Sequence, residues 1–294
     1  MSHPVIFDRA LLRARRARAA QLGAETFLID RVAEDLAVRL SAVLRRFDVA
    51  ADVGTPTDAV RRAMAGRVGT VVAVDPGAQG DKALTVAADE EALPFRDGSL
   101  DLAVSALALQ FVNDLPGTLI QIRRALKPDG LFLAALIGGD SLAELRAAFA
   151  QAESEVEGGV SPRVAPFADL RDLGALLQRA GFALPVTDID RVTVRYSSPL
   201  SLMHDLRRMG ATNVLTERRR KPLRRATLQR LFEIYADRFA DADGRIRATF
   251  EIVWLSGWAP HESQQQPLKP GSAKTRLADA LRTAELPAGE KAGR

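Results

Sequence analysis

Three aspartates stand at the ends of successive predicted strands, where a nucleoside could be held. Asp52 ends a short apolar run at 49–53, Asp75 ends a second at 69–75, and Asp89 ends a third at 83–89. In open α/β sheets, ligands bind at the carboxyl ends of the strands. A carboxylate accepts hydrogen bonds and can take them from both ribose hydroxyls at once. In such folds the carboxylate that binds ribose lies about 20 residues after the first loop. Asp75 is therefore predicted to bind ribose, and Asp89 an adenine amino group.

The alternative interpretation is that such acids only cap helices and form turns. For a single acid this is the simpler explanation, but three at successive strand ends favour a nucleoside site. The loop "VGTPTD" after the first strand has the single glycine Gly54. The chain lacks both G-x-G-x-x-G and G-x-x-x-x-G-K-[ST], so pyrophosphate and triphosphate sites are not indicated. S-adenosylmethionine (SAM), with adenine, ribose and an amino acid, fits these features.

The elements that must position these acids alternate between short apolar strands and helices. Such alternation is typical of a parallel sheet covered on both faces, so we expect a doubly wound α/β fold. Residues 1–47 are predicted to be a helical segment, and 48–260 the α/β domain, with a helical insertion at about 197–243. The polar tail at 261–294 is expected to be partly disordered.

Composition excludes several classes of function. The 294 residues include no cysteine and three histidines without ligand spacing, so no metal site is predicted. Without a signal peptide or a long apolar run, we expect a cytoplasmic protein without a membrane span. Two basic clusters, Arg13–Arg18 and Glu217–Arg225, are interpreted as solvated helix faces. They lack interleaved aromatic residues, so no nucleic acid partner is expected.

Longer motifs resemble a known family. "ADEEALPFRDGSLDLAVSALAL" followed by "LKPDG" resembles the class I SAM-dependent methyltransferases, whose fold is a seven-stranded sheet. "FVNDLPGTLIQIRRALKPDG", "GGVSPRVAPF" and "GWAPHESQQQPLKPGSA" are similar to the complex I assembly factor 5 family, of the alphaproteobacterial type. That resemblance covers nearly the whole chain. It implies hydroxylation of an arginine in the Fe–S subunit of respiratory complex I, which would be the protein substrate. The oligomeric state is left open.

The resemblance also implies a set of site residues. Cofactor contacts are expected from Asp52, Gly54, Asp75, Pro76, Asp89, Glu90 and Ser105. Substrate contacts are expected from Gln110, Arg163 and Tyr196. Candidate catalytic residues are Asn113, Asp114, His204 and Asp205, where an acid could pair with a substrate guanidinium.

Two departures from the family pattern leave alternatives open. Pro56 and Asp58 stand where intact members have the second and third loop glycines, which implies that SAM binding is weakened or lost. Gln110 stands where mitochondrial relatives tend to have histidine. A methyltransferase acting on a small molecule or a carrier-protein carboxylate is one alternative function. The other is a non-catalytic assembly chaperone with a degenerate SAM site.

Overall fold

Seven strands form one sheet in the part of the chain that the structure describes. This computed structural model describes residues 5–77, 84–265, 271–272 and 275–284. The strand order across the sheet is β3-β2-β1-β4-β5-β7-β6. The strands are β1 (Phe47–Val53), β2 (Val68–Val74), β3 (Thr85–Val86), β4 (Leu100–Ala106), β5 (Leu126–Ile137), β6 (Ala183–Tyr196) and β7 (Ile246–Trp258).

Strands β1 to β5 run parallel, and β7 pairs antiparallel with both β5 and β6. This arrangement confirms the predicted doubly wound α/β sheet. The predicted third strand was too long, because only Thr85 and Val86 pair with β2. This strand has a single neighbour, and Leu84 directly before it has a positive φ of 28°. Asp89 therefore lies in a turn beyond the strand.

Helices cover both faces of the sheet. One apolar cluster joins the sheet to α2, α3, α5, α7 and α8, and another joins it to α4 and α6. The described helices are α1 (Arg9–Gln21), α2 (Phe27–Ser41), α3 (Ala59–Ala63), α4 (Leu115–Ala125), α5 (Ala143–Glu157), α6 (Leu170–Arg179), α7 (Pro199–Arg208), α8 (Arg225–Phe239) and α9 (Leu277–Leu281). None of the helices in the described ranges is long and apolar enough to cross a membrane.

The predicted insertion at 197–243 contains α7 and α8. Helix α8 packs against α5, and α7 contacts α1 and β6. Residues 261–294 form a separate unit, in which the described part includes the short α9. The end of the tail at 285–294, which we expected to be disordered, lies outside the described residues.

The segment before α1 is tied to two distant parts of the chain. Phe7 forms an antiparallel bridge with Leu215. The side-chain oxygen of Asn113 accepts hydrogen bonds of 2.8 Å from the N–H groups of Ile6 and Phe7. Asp8 then caps α1 by accepting a 2.9 Å bond from the Leu11 N–H. These contacts fix where α1 begins and which way its side chains face.

Candidate cofactor and substrate site

The predicted strand-end acids lie at the carboxyl edge of the parallel part of the sheet. Asp52 is the last residue but one of β1, and Asp75 directly follows β2. The Asp75 carboxylate accepts a 2.8 Å hydrogen bond from the Gly77 N–H, so Pro76 lies inside a turn closed by this acid. The edge therefore presents carboxylates from two neighbouring strands on fixed backbone.

Asp52 is a buried acid with an unused oxygen. Its side chain is 1% exposed. Oδ2 accepts a 2.8 Å bond from Arg61 Nη1, whereas Oδ1 has no hydrogen-bond partner among the described residues. Burial raises the pKa of Asp52 to about 6, although the Thr55 hydroxyl and Arg61 oppose this; the nearby charge of Asp75 raises the pKa further. Asp52 Oδ1 can therefore accept a further hydrogen bond.

The loop after β1 turns at Gly54, which has a φ of 73°. Its N–H donates to the Val74 carbonyl at 2.9 Å. A Cβ at this position would lie 2.7 Å from Glu90 Cγ, so the absence of a side chain lets Glu90 approach the backbone. Asp58, the other departure from the glycine pattern, pairs with Arg62 and is more than half exposed, so its carboxylate is directed to another cation.

Glu90 is fully buried, with 0% exposure. Its Oε2 pairs with Arg9 of α1, and its Oε1 has no hydrogen-bond partner in the described part of the chain. The neighbouring Asp89 accepts a 2.9 Å bond from Arg9 and lies 3.5 Å from Arg13. Both acids therefore face helix α1 rather than open solvent.

The arginines that meet these acids occupy one face of α1. Arg9, Arg13 and Arg16 have spacings of four and three residues, which places them in a row along the helix. The interpretation of Arg13–Arg18 as a solvated helix face was wrong for Arg16, whose side chain is only 20% exposed. Burial lowers the pKa of Arg16, and the charge of Glu90 opposes that shift. The residue spacing was visible in the sequence, but the acids opposite it were not.

A cavity of about 130 Å³ adjoins the loop. Arg16, Pro56 and Thr57 line one part of it, and Gln110 and Phe111 another. Gln110 donates to the Leu107 carbonyl at 2.9 Å, while its own oxygen is buried without a hydrogen-bond partner in the described ranges. Among the predicted substrate and catalytic residues, Gln110 is the one that lines this cavity. The cavity therefore lies between the loop after β1 and the segment at Gln110.

The other predicted site residues have partners of their own. Asn113 holds the segment before α1, and Asp114 caps α4 by accepting a 2.8 Å bond from the Gly117 N–H. The hydroxyl of Ser105 donates to the Val53 carbonyl at 2.7 Å. His204 is exposed on α7. These contacts position the backbone around the site and do not place the side chains in the cavity.

Arg163 and Tyr196 likewise do not line the cavity. Arg163 Nε donates to Glu153 at 2.8 Å, and Glu153 is fully buried. Burial acts to raise the pKa of Glu153, but hydrogen bonds from Ser161 and Arg163 outweigh it and lower the pKa. Tyr196 is buried, and burial followed by the charge of Asp205 raises its pKa. Within the described residues, no group of three or more histidine or acidic side chains could hold a metal ion.

Comparison with known proteins extends this geometry. A methyltransferase domain model matches residues 51–134, which span β1 to most of β5. Two solved bacterial structures share the fold. One, from Bacillus halodurans C-125 and assigned to the methyltransferases, is 18% identical with a TM-score of 0.52 and covers 77% of this chain and 98% of its own. The other, the YcgJ protein of Bacillus subtilis, is 15% identical with a TM-score of 0.53 and covers 78% of this chain and 99% of its own. At this identity they support the fold alone.

Sequence relatives match this chain at higher identity than the solved structures do. A malonyl-[acyl-carrier protein] O-methyltransferase of Laribacter hongkongensis is 39% identical over 63% of this chain and 60% of its own length. The mitochondrial arginine-hydroxylase NDUFAF5 of Danio rerio is 37% identical over 96% of this chain and 91% of its own length. The human protein of the same name is 37% identical over 97% and 86%. The chain therefore belongs to the arginine-hydroxylase NDUFAF5 family, built on the class I methyltransferase fold.

Proposed function

We propose that this protein binds SAM and takes part in the assembly of respiratory complex I by hydroxylating an arginine of its Fe–S subunit. One observation carries the proposal: similarity to the arginine-hydroxylases extends over 96% of the chain, well beyond the methyltransferase domain at 51–134. It includes α7 and α8, which a simple methyltransferase match does not require. The expected location in the cytoplasm stays a prediction.

The described residues fit the nucleoside and amino-acid parts of SAM. Asp75 is proposed to accept both ribose hydroxyls, and Asp89 the adenine amino group. Asp52 Oδ1 and Glu90 Oε1 are proposed to accept from the ligand's α-ammonium group, since each is a buried carboxylate oxygen without a hydrogen bond among the described residues. The backbone at Gly54, two residues after Asp52, passes close to Glu90.

The affinity for SAM is proposed to be weaker than in relatives with three loop glycines. Pro56 has no N–H, so the loop offers one donor fewer. The Gly54 N–H is also engaged with Val74. Arg9 bonds to both Asp89 and Glu90, so adenine must share Asp89 with a guanidinium. Each of these features acts against cofactor binding.

The substrate is proposed to enter through the cavity at Gln110. An acid suits a guanidinium because it accepts two parallel N–H groups. Glu25 lines the cavity and pairs with Arg208 at 3.2 Å, whereas the predicted acids Asp114 and Asp205 are not lining residues. A substrate arginine is proposed to replace Arg208 at Glu25. Hydroxylation converts a C–H bond to C–OH and consumes a two-electron oxidant. We assign none of the described residues to binding that oxidant.

Cofactor binding is tested by calorimetric titration with SAM, using the wild-type protein and Asp75→Ala. Binding by the wild type that disappears in the variant supports the site. Unchanged binding in the variant contradicts the role of Asp75. A wild type that gives no heat and no thermal shift at saturating SAM contradicts the cofactor, and a non-catalytic assembly chaperone then becomes the better function.

The reaction is tested by deleting the gene in the source organism and analysing the complex I Fe–S subunit by mass spectrometry. Loss of one oxygen atom from an arginine peptide, restored by the wild-type gene, is the expected result. An unchanged arginine peptide in the deletion strain contradicts hydroxylation. Deletion that reduces assembled complex without altering the peptide supports the chaperone.

A second candidate function is methylation of a carrier-protein carboxylate. It is favoured by the 39% identity to a malonyl-[acyl-carrier protein] O-methyltransferase, but this match covers 63% of the chain. Incubating the purified protein with labelled SAM and a malonyl carrier protein tests it directly. Transfer of label to the carrier protein favours this function, and no transfer removes it.

A further inference from the structure

We propose that the Arg16 guanidinium binds the carboxylate of the ligand's amino-acid portion, where the loop has lost glycine and one N–H donor. The inference rests on the proposed function, in that the ligand is a nucleoside carrying an α-amino acid. It assigns the selectivity of the site for such ligands to a helix outside the methyltransferase domain match, which begins at residue 51.

The position of Arg16 places it beside the loop. Its Nη1 lies 3.4 Å from the Gly54 carbonyl oxygen and 3.7 Å from Glu90 Oε1. It lines the cavity together with Pro56 and Thr57. The Arg16 guanidinium therefore lines the same cavity as Pro56, which has no N–H to donate to a ligand.

The donors of Arg16 are largely unused. A guanidinium has five N–H donors, and within the described ranges the one hydrogen bond of this side chain is the 3.4 Å contact with Gly54. Arg9, by contrast, bonds to Asp89, Glu90 and the Phe111 carbonyl. A largely buried cation with free donors is expected to pair strongly with an anion that reaches it.

Glu90 forms a long ion pair with Arg16 that leaves most of the guanidinium donors available. The 3.7 Å contact is outside hydrogen-bond range, and Glu90 already pairs with Arg9 through its other oxygen. A ligand carboxylate that binds Arg16 therefore leaves Glu90 with its main partner. Asp58, a second negative charge on the loop, pairs with Arg62 and does not compete for Arg16.

This arrangement predicts how the site discriminates between ligands. S-adenosylhomocysteine has the carboxylate, whereas 5′-methylthioadenosine keeps the nucleoside but lacks the amino acid. Binding of the first depends on Arg16, and binding of the second does not. A planar guanidinium accommodates both carboxylate oxygens at once, so lysine at this position is expected to recover only part of the affinity.

The experiment is calorimetric titration of both ligands into the wild type, Arg16→Gln and Arg16→Lys. Arg18→Gln, on the exposed side of the same helix, is the matched control. We expect Arg16→Gln to weaken S-adenosylhomocysteine about tenfold or more, equivalent to about 1.4 kcal/mol, and to change 5′-methylthioadenosine by less than about twofold. Arg16→Lys should fall between, and Arg18→Gln should match the wild type.

Three results overturn the inference. The first is an equal loss of affinity for both ligands in Arg16→Gln, which indicates a role in building the site. The second is no loss for either ligand. The third needs no variant: a wild type that binds 5′-methylthioadenosine as tightly as S-adenosylhomocysteine has no carboxylate recognition. In these cases the proposed function still stands if the wild type binds SAM. A wild type that binds neither SAM, S-adenosylhomocysteine nor 5′-methylthioadenosine contradicts both the proposed cofactor and the role of Arg16.

Discussion

Arg9, the first residue of α1, pairs with the fully buried carboxylate of Glu90, 81 residues further along the chain. Arg9 is itself mostly buried. Removing one partner of a buried ion pair leaves the other charge without compensation, which costs about 3–5 kcal/mol. This contact is one of several that couple the N-terminal helix to the proposed cofactor site.

The first prediction concerns that pair. Arg9→Met should lower the free energy of unfolding by about 3 kcal/mol, because Glu90 stays buried and loses its main partner, with only the longer ion pair to Arg16 remaining. Urea denaturation of Arg9→Met, Glu90→Gln and the double variant measures the coupling. The double variant should lose less than the sum of the single losses. Additive losses would contradict a direct interaction, and Arg18→Met on the exposed side of α1 should change stability little.

The second prediction separates two effects at Gly54. Gly54→Ala should be more destabilising than Gly66→Ala, although both glycines have positive φ values, of 73° and 77°. A left-handed backbone costs alanine about 1–2 kcal/mol at each site. A Cβ at Gly54 also collides with Glu90, whereas at Gly66 it meets nothing within 4 Å. Equal losses in thermal denaturation would show that the close approach of Glu90 is unimportant.

The third prediction follows from the pKa of Asp52, which burial raises from 3.8 to about 6. Between these values the folded state keeps the proton and the unfolded state has released it. Stability contributed by this group therefore falls as pH rises from about 4 to 6, by on the order of 3 kcal/mol, and is constant above that. Asp52→Asn should remove this decrease in the free energy of unfolding between about pH 4 and pH 6. Denaturation curves of both proteins at several pH values measure it, and parallel pH profiles would contradict the shifted pKa.

The fourth prediction concerns Arg163, which the sequence suggested as a substrate contact. Because Arg163 pairs with the fully buried Glu153, Arg163→Met should destabilise the fold by about 3 kcal/mol. Arg230→Met, whose ion pair with Glu155 is exposed, should cost less than about 1 kcal/mol. A stable Arg163→Met protein with impaired substrate binding would instead restore the substrate role.

The fifth prediction uses Asn113, a candidate catalytic residue. Its side chain holds the backbone of Ile6 and Phe7. Asn113→Ala should release the segment before α1 and speed its cleavage in limited proteolysis, because two amide donors lose their acceptor. Cleavage at the wild-type rate would mean that other contacts are sufficient to hold this segment.

The fold was predictable where the pattern is local. Short apolar runs such as 49–53 and 69–75 identified β1 and β2 because strands buried on both faces have no polar alternation. The length of β3 was not predictable, since it depends on a single neighbouring strand and the positive φ of Leu84. The positions of Asp52 and Asp75 followed from the strands themselves.

The partners of the site residues depended on contacts between distant segments. The spacing of Arg9, Arg13 and Arg16 indicated one helix face but not that Asp89 and Glu90 lie opposite. Glu153 had a usable signal, because it falls on the buried face of α5 beside Ala152 and Phe149. An acid on an apolar stripe requires a cation, and Arg163 follows ten residues later. That pattern favoured a structural ion pair over a substrate contact.

The bridge between Phe7 and Leu215 has a consequence for the order of events during translation. The segment before α1 leaves the ribosome before its bridge partner, because Leu215 lies more than 200 residues further along the chain. Until that part of the chain has emerged, the segment before α1 lacks this bridge, whereas its contact with Asn113 and that of α1 with Glu90 can already form. We therefore expect α1 to be held less firmly over the carboxyl edge of the nascent sheet until Leu215 has emerged.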